Sequence, residues 1–223
     1  LRPFAPAIDA ASNSSTTSTL DLDTNPRRAN DVNVTDTGTG TAPLSDMGAY
    51  ERQSGSCGSF AYPYTLSGSA AGTRRLNLRD AVRCANINGS SDDTIDLAGQ
   101  TITYDTSFAT IDGVPTALPQ ITSTMTLRNG QITRSTAGGT PNFRLLANAA
   151  SGQLTLSGLT LRNGNAGTVP ASSRGGAVYN LGTLTIQQST LSGNVAYSAG
   201  ALYIAAGANA TVTRSTLSGN VAT

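Results

Sequence analysis

Hydrophobic residues in the second half of the chain alternate with Thr or Ser over stretches too short for helices. Leu154, Leu156, Leu159 and Leu161 form one such set, and Leu184, Ile186 and Leu191 another. A two-residue period on short segments, broken by Gly and Asn, marks strands with one buried face. The pattern also returns along the chain. STLSGNVA occupies 189–196 and again 215–222, an offset of 26, and GGAVYN at 175–180 recurs as AGALYI at 199–204, an offset of 24. LTLSGLTLRNG at 154–164 aligns with LTIQQSTLSGN at 184–194 at an offset of 30, the surplus being the insertion AGTVPASSR at 166–174. TLRNG appears at both 126–130 and 160–164.

A unit of about two dozen residues with three short strands cannot bury its own apolar face, whereas stacked units bury a continuous core. The pattern therefore predicts an all-β fold, a β-solenoid with regular repeats over 153–223, coils pairing at about 4.8 Å and corners of Gly and Asn. Dividing the chain by the repeat gives roughly seven to nine coils. Asn194 and Asn220 recur at one corner, where stacked side-chain amides would bond coil to coil. Upstream, Leu78, Ala81, Val82 and Ala85 fall at i, i+3, i+4 and i+7, with Asn77 and Asp80 as a weak start signal. This spacing predicts one short capping α-helix near 74–87, shielding the open end of the first coil. Segments 94–104 and 118–135 read as the first, less regular coils.

Composition narrows the chemistry. All 14 basic residues are Arg, His, Lys and Trp are absent, and Glu51 is the only Glu. Ser-His-Asp catalysis, His-rich zinc sites and Schiff-base lysines are thereby excluded. A net charge of +1 supplies no basic face for nucleic acid, and no apolar run approaches the roughly 18 residues of a membrane span. Charge is nevertheless divided: residues 1–112 hold all 13 carboxylates and eight Arg, whereas 113–223 hold six Arg and no carboxylate. Glycoside hydrolysis requires a pair of flanking acids. Asp92, Asp93 and Asp96 make the tight acidic cluster of the solenoid portion, but they follow an Asn-Gly-Ser turn and read as a solvated loop. No catalytic residue, and no enzymatic activity, is expected.

Asp21, Asp23 and Asn25 have the spacing that offers several oxygens to calcium, the one cofactor the sequence suggests. An EF-hand loop needs Gly and Glu where this chain has Pro26 and Val32, so an Asx-rich turn is the default reading. Cys57 and Cys84 suit neither a zinc knuckle nor a CxxC pair and read as a structural disulfide, with two buried thiols as the alternative. Tyr62, Tyr64, Tyr179, Tyr197 and Tyr203 could serve as glycan-stacking platforms, although Tyr179 and Tyr203 recur in register and read first as a stacked scaffold pair. Asn13, Asn33, Asn88 and Asn209 begin N-x-S/T triplets, usable only in a host that glycosylates them.

GGAVYN followed by STLSGN resembles the GGA[ILV] and FxxN repeats of polymorphic outer-membrane proteins, with Leu191 and Leu217 where that family has Phe. LNLRDAVRCAN, DDTIDLAGQTITY and LPQITSTMTLRNG are similar to the amino-terminal cap of bacterial surface proteins bearing a CSLREA-type motif, without its Cys. PAIDAASNS, DLDTNPR and DMGAYE resemble the closing segment of choice-of-anchor Q proteins, which ordinarily follows the last repeat and here precedes it. These resemblances imply a right-handed parallel β-helix of the pectin-lyase-like kind, exported, processed and extracellular or held at the cell surface. They imply an extended closing segment at 1–52 and a β-helix at 53–223.

The permuted order implies in turn a structural subunit of an extracellular fibre or surface stalk. Copies would join head to tail, the 1–52 segment of one completing the 223 end of another, either as separate chains or as periods of one long polypeptide. Phe4, Ile8, Tyr50, Leu217 and Val221 are the candidate interface residues. A surface adhesin binding glycans is the alternative expectation, and a polysaccharide-degrading enzyme ranks last.

Overall fold

The computed structural model describes residues 10, 12, 37–40, 78–87, 92–168 and 173–223, and the backbone of 64–65. The chain divides into two units, Leu1–Phe60 and Ala61–Thr223. In the first, Ser12 and Thr39 form a parallel bridge. The second is a parallel β-solenoid with one short helix among its described residues.

Its elements run β1 (Tyr64–Thr65), α1 (Leu78–Ile87), β2 (Asp93–Asp96), β3 (Thr101–Tyr104), β4 (Ala109–Ile111), β5 (Val114–Thr116) and β6 (Thr124–Arg134). There follow β7 (Leu146–Asn148), β8 (Gln153–Arg162), β9 (Val178–Asn180), β10 (Thr183–Gln187), β11 (Thr190–Ser192) and β12 (Val195–Ala196). The last coil is β13 (Leu202–Ile204), β14 (Asn209–Thr213), β15 (Thr216–Ser218) and β16 (Val221–Ala222). The main parallel sheet stacks β1-β2-β6-β8-β10-β14, with β3 beside β6 and β11 between β8 and β15. A second face stacks β7-β9-β13, and β12 pairs with β16.

The two-residue period sorts the side chains. Ile95, Leu127, Leu156 and Ile186 share one inward ladder and are all 0% exposed. Burying each contributes about 1.5–3 kcal/mol. Thr94, Thr126, Thr155, Thr185 and Thr211 form the outward ladder beside it. The structure has about four turns, fewer than the seven to nine expected from the repeat length. The inward ladder shows why: Ile95, Leu127, Leu156, Ile186 and Val212 place successive coils 32, 29, 30 and 26 residues apart. The two-dozen spacing describes only the final, insertion-free coil, and upstream of β2 the described residues add one two-residue strand.

Corners repeat as backbone conformations more faithfully than as residues. Asn129, Gly158, Gln188 and Arg214 occupy equivalent bends and share positive φ of 57°, 60°, 51° and 48°. Asn and Gly suit this left-handed region, whereas Gln188 and Arg214 are held there by the ladders on either side. The glycine of GGAVYN at 176 meets a different demand, since a Cβ there would collide with the backbone of Gly200 and Val195.

α1 covers the first coil as expected. Leu78, Ala81, Val82 and Ala85 are buried beneath it. Asn86 clasps the neighbouring segment, its Nδ2 donating to Gln120 O at 2.8 Å and its Oδ1 accepting the Thr122 N–H at 2.9 Å. Arg79 donates to Ala117 O and Thr106 O at 2.9 and 2.6 Å and lies 4.5 Å from the Tyr104 ring centroid.

The antiparallel hairpin β4–β5 departs from the solenoid pattern. Its turn, Asp112-Gly113, has positive φ at both residues, 51° and 75°, as a two-residue type I′ turn requires. Tyr179 OH donates to Asp112 Oδ2 at 2.6 Å, fastening the turn to the second face. Arg144, whose main chain brackets β5 through Pro115 O and Ala117 N–H, is wholly buried nearby. Its guanidinium lies 4.4 Å from the Tyr179 ring centroid, and Nε, Nη1 and Nη2 make no hydrogen bond. Burial pushes this group down to about 10, with Tyr179 and Asp112 opposing. A charged guanidinium with unmet donors is costly inside a protein, so its apolar stem and ring contact, not its charge, hold the hairpin down. Arg144→Met is expected to leave the urea-unfolding midpoint unchanged or raised, while Arg144→Ala lowers it through lost packing. Equal losses in the two variants would contradict this assignment.

Candidate assembly face

Each inward ladder changes character at its last member. Val212 continues the wholly buried row of Ile95, Leu127, Leu156 and Ile186 yet is 42% exposed. Leu217 stands over Leu161 and Leu191, both 0% exposed, and is itself 47% exposed. Val221, in register with Val195, and Ile204, in register with Asn180, are each 46% exposed. Residue type and register are those of the core; what these four lack is a coil above them. Parallel strands with a free edge also leave N–H and C=O groups available for pairing.

Polar ladders run alongside. Gly164 N–H donates to Asn194 Oδ1 at 2.9 Å, and Asn194 N–H donates to Asn220 Oδ1 at 3.0 Å. Asn194 Nδ2 bonds Asn220 Oδ1 at 2.9 Å and Leu161 O at 3.2 Å, and Asn220 Nδ2 bonds Leu191 O at 2.8 Å. Each carboxamide oxygen thus receives a backbone N–H from the coil before it, so a further coil would continue the rule with an acceptor for Asn220 N–H. This is the Asn ladder expected at that corner.

A second Asn ladder was not anticipated. Asn148 Nδ2 donates to Asn180 Oδ1 at 2.8 Å and to Thr183 O at 3.0 Å, and Asn180 Nδ2 donates to Asn209 O at 2.9 Å. Its signal lay in LANAASGQLTL and VYNLGTLTI, where an Asn precedes a Gly and then a strand. A serine ladder joins the bends, Leu159 N–H donating to Ser189 Oγ and Ser189 N–H to Ser215 Oγ, each at 3.1 Å. Tyr179 and Tyr203 stack with centroids 5.5 Å apart and planes at 18°, as their shared register suggested. Arg174 lies 5.1 Å from the Tyr203 centroid.

Of the candidate interface residues, Leu217 and Val221 lie on this terminal rung, while Phe4, Ile8 and Tyr50 lie outside the described residues. The calcium candidates Asp21, Asp23 and Asn25 lie outside them as well, as do Cys57 and Tyr62. Cys84 is buried and disulfide-bonded. The acidic cluster requires a correction: Asp93 and Asp96 belong to strand β2, not to a solvated loop, and Asp93 is 0% exposed. Asp96 accepts from Arg128 Nε at 2.9 Å, Ala98 N–H at 2.7 Å and Asn129 Nδ2 at 3.2 Å. Burial pushes its carboxyl up, but these donors together hold it below the usual carboxylate range. Strand pairing across the coils organises the cluster, which a local turn signal does not register. Among the described residues no group of three or more His, Cys, Asp or Glu could hold a metal, and no helix is long and apolar enough to cross a membrane.

No protein-family model, no curated protein and no solved structure matches the chain.

The ladders make equivalent leucines energetically unequal. In dilute protein, Leu191→Ala is expected to lose about 2–5 kcal/mol of unfolding free energy, and Leu217→Ala under about 1 kcal/mol. Equal losses in urea titrations would show that Leu217 is already covered.

Proposed function

We propose that the chain is a structural building block of an extracellular fibre or cell-surface stalk. Copies join head to tail, the 1–52 segment of one continuing the solenoid over the β13–β16 rung of another. The observation that carries this reading is the change from Leu191, 0% exposed, to Leu217, 47% exposed, in one ladder. A rung with core residues and unpaired edges is a template for one more coil, and strand addition supplies that coil by main-chain pairing plus alternate side-chain pockets. The resemblance of 1–52 to the closing segment of choice-of-anchor Q proteins supports its choice as the occupant. So does charge: 1–52 holds seven carboxylates and four Arg, whereas 113–223 holds six Arg and no carboxylate. Such a contact is heterologous and propagates instead of closing. A half of the molecule without carboxylates favours this structural role over a hydrolytic one, and the CSLREA-like cap fits a protein exported to the bacterial surface.

Negative-stain electron microscopy and light scattering of the full chain provide the test. Wild-type protein is expected to form elongated multimers that dissociate on a denaturing gel to a band near 22.6 kDa. Leu217→Asp should yield monomers with an unchanged thermal midpoint. Monodisperse short rods from the wild type at its highest soluble concentration would contradict the proposal.

A further inference from the structure

We propose that a groove on the flank of the solenoid binds an acidic oligosaccharide, a hydroxyl-rich chain bearing carboxylate or sulfate groups. The groove encloses about 550 Å³ and crosses β3, β6 and β8. Two rows form its floor. Thr101 and Gln131 are adjacent rungs of one row, and Thr103, Thr133 and Arg162 are successive rungs of the other. With coils about 4.8 Å apart, three rungs give a track roughly 10 Å long. Arg134 and Asn163 complete the polar lining, and no carboxylate and no aromatic ring lines it.

The two guanidiniums differ in a useful way. Arg134 is fixed, with Nε donating to Pro141 O at 2.8 Å, Nη2 to Thr140 O at 2.9 Å and its plane 5.6 Å from the Phe143 centroid. Arg162 is exposed and makes no hydrogen bond or ion pair with any described residue. Elsewhere on the sheet Arg128 carries its own carboxylate, Asp96, at 2.9 Å. An unpaired guanidinium presents a planar fork that fits a carboxylate or sulfate through two parallel bonds. Asn163 Nδ2 donates to Thr133 Oγ1 at 3.3 Å, ordering the hydroxyl row beside that fork. Threonine hydroxyls, Gln131 and Asn163 supply donors and acceptors for sugar hydroxyls. Single-stranded nucleic acid, the other extended polyanion, is recognised by stacking its bases on aromatic rings, and the groove has none.

The groove lies on β3, β6 and β8, none of which belongs to the terminal rung, so this inference stands apart from the assembly reading. Isothermal titration of the full chain with a sulfated heparin oligosaccharide, an oligogalacturonate and a neutral maltooligosaccharide tests it. One or both acidic saccharides are expected to bind, which of them does so assigning sulfate or carboxylate, and the neutral one should bind at least tenfold more weakly. Arg162→Gln should weaken binding tenfold or more, and Arg162→Lys, which keeps the charge without the fork, should fall between. Arg214→Gln, an exposed arginine outside the groove, should change affinity less than twofold, all variants keeping the wild-type thermal midpoint. The proposal is overturned if neither acidic saccharide binds, if the neutral one binds equally, or if Arg214→Gln weakens binding as much as Arg162→Gln. Displacement by a single-stranded oligonucleotide at equal concentration would overturn it too.

Discussion

Pairing of each coil with the next is the interaction on which everything else in this protein depends. A coil of 26–32 residues has three short strands and no interior of its own. Its inward Leu, Ile and Val become core only when the following coil repeats them in register. The same stacking lets Asn194 satisfy backbone groups of neighbouring coils, which an isolated turn could not do. It also holds Gln188 and Arg214 in left-handed bends that their side chains do not favour. Stability is therefore local and additive along the axis, and the two axial ends are where it must be managed.

The ends are managed differently. At the beginning, α1 lays an apolar stripe over the first coil and secures it with side-chain bonds from Arg79 and Asn86 to carbonyls of the 106–120 stretch. At the far end, Val212, Leu217 and Val221 stand where buried residues stand one coil earlier. The contrast underlies the proposed assembly: continuation of the solenoid by another segment would bury these three and give Asn220 N–H an acceptor. The flank has a third solution, in which the β4–β5 hairpin folds against the second face through the Asp112–Tyr179 bond.

The sequence made the solenoid legible because its signal is periodic. Alternating apolar residues, the STLSGN repeat and the i, i+3, i+4, i+7 stripe of α1 each report a physical face, and all three appear where expected. What escaped was non-periodic or long-range. The Asp112-Gly113 pair is a strong local hairpin signal, but it fell between two segments read as coils. Asn148 and Asn180 stand four and two residues before a Gly, so plain self-comparison did not align them. Asp96 looked like loop because its partners Arg128 and Asn129 are more than 30 residues away, on the next coil. The coil count was overestimated because the shortest repeat was taken for the general one. Of the assembly face, Leu217 and Val221 were legible from their repeat position. The flanking groove was not, since only the register of β3, β6 and β8 brings Thr103, Thr133 and Arg162 into one row.

The central claim is that the β13–β16 rung is a stacking surface awaiting another coil from a second copy. Hydrogen–deuterium exchange, followed in dilute and in concentrated protein, tests it most directly, because edge amides report pairing without any substitution. The account predicts fast exchange across 209–223 in dilute protein and strong protection at high concentration, with 153–196 protected throughout. Exchange across 209–223 that is already slow in dilute monomer, or that concentration leaves unchanged, would contradict it.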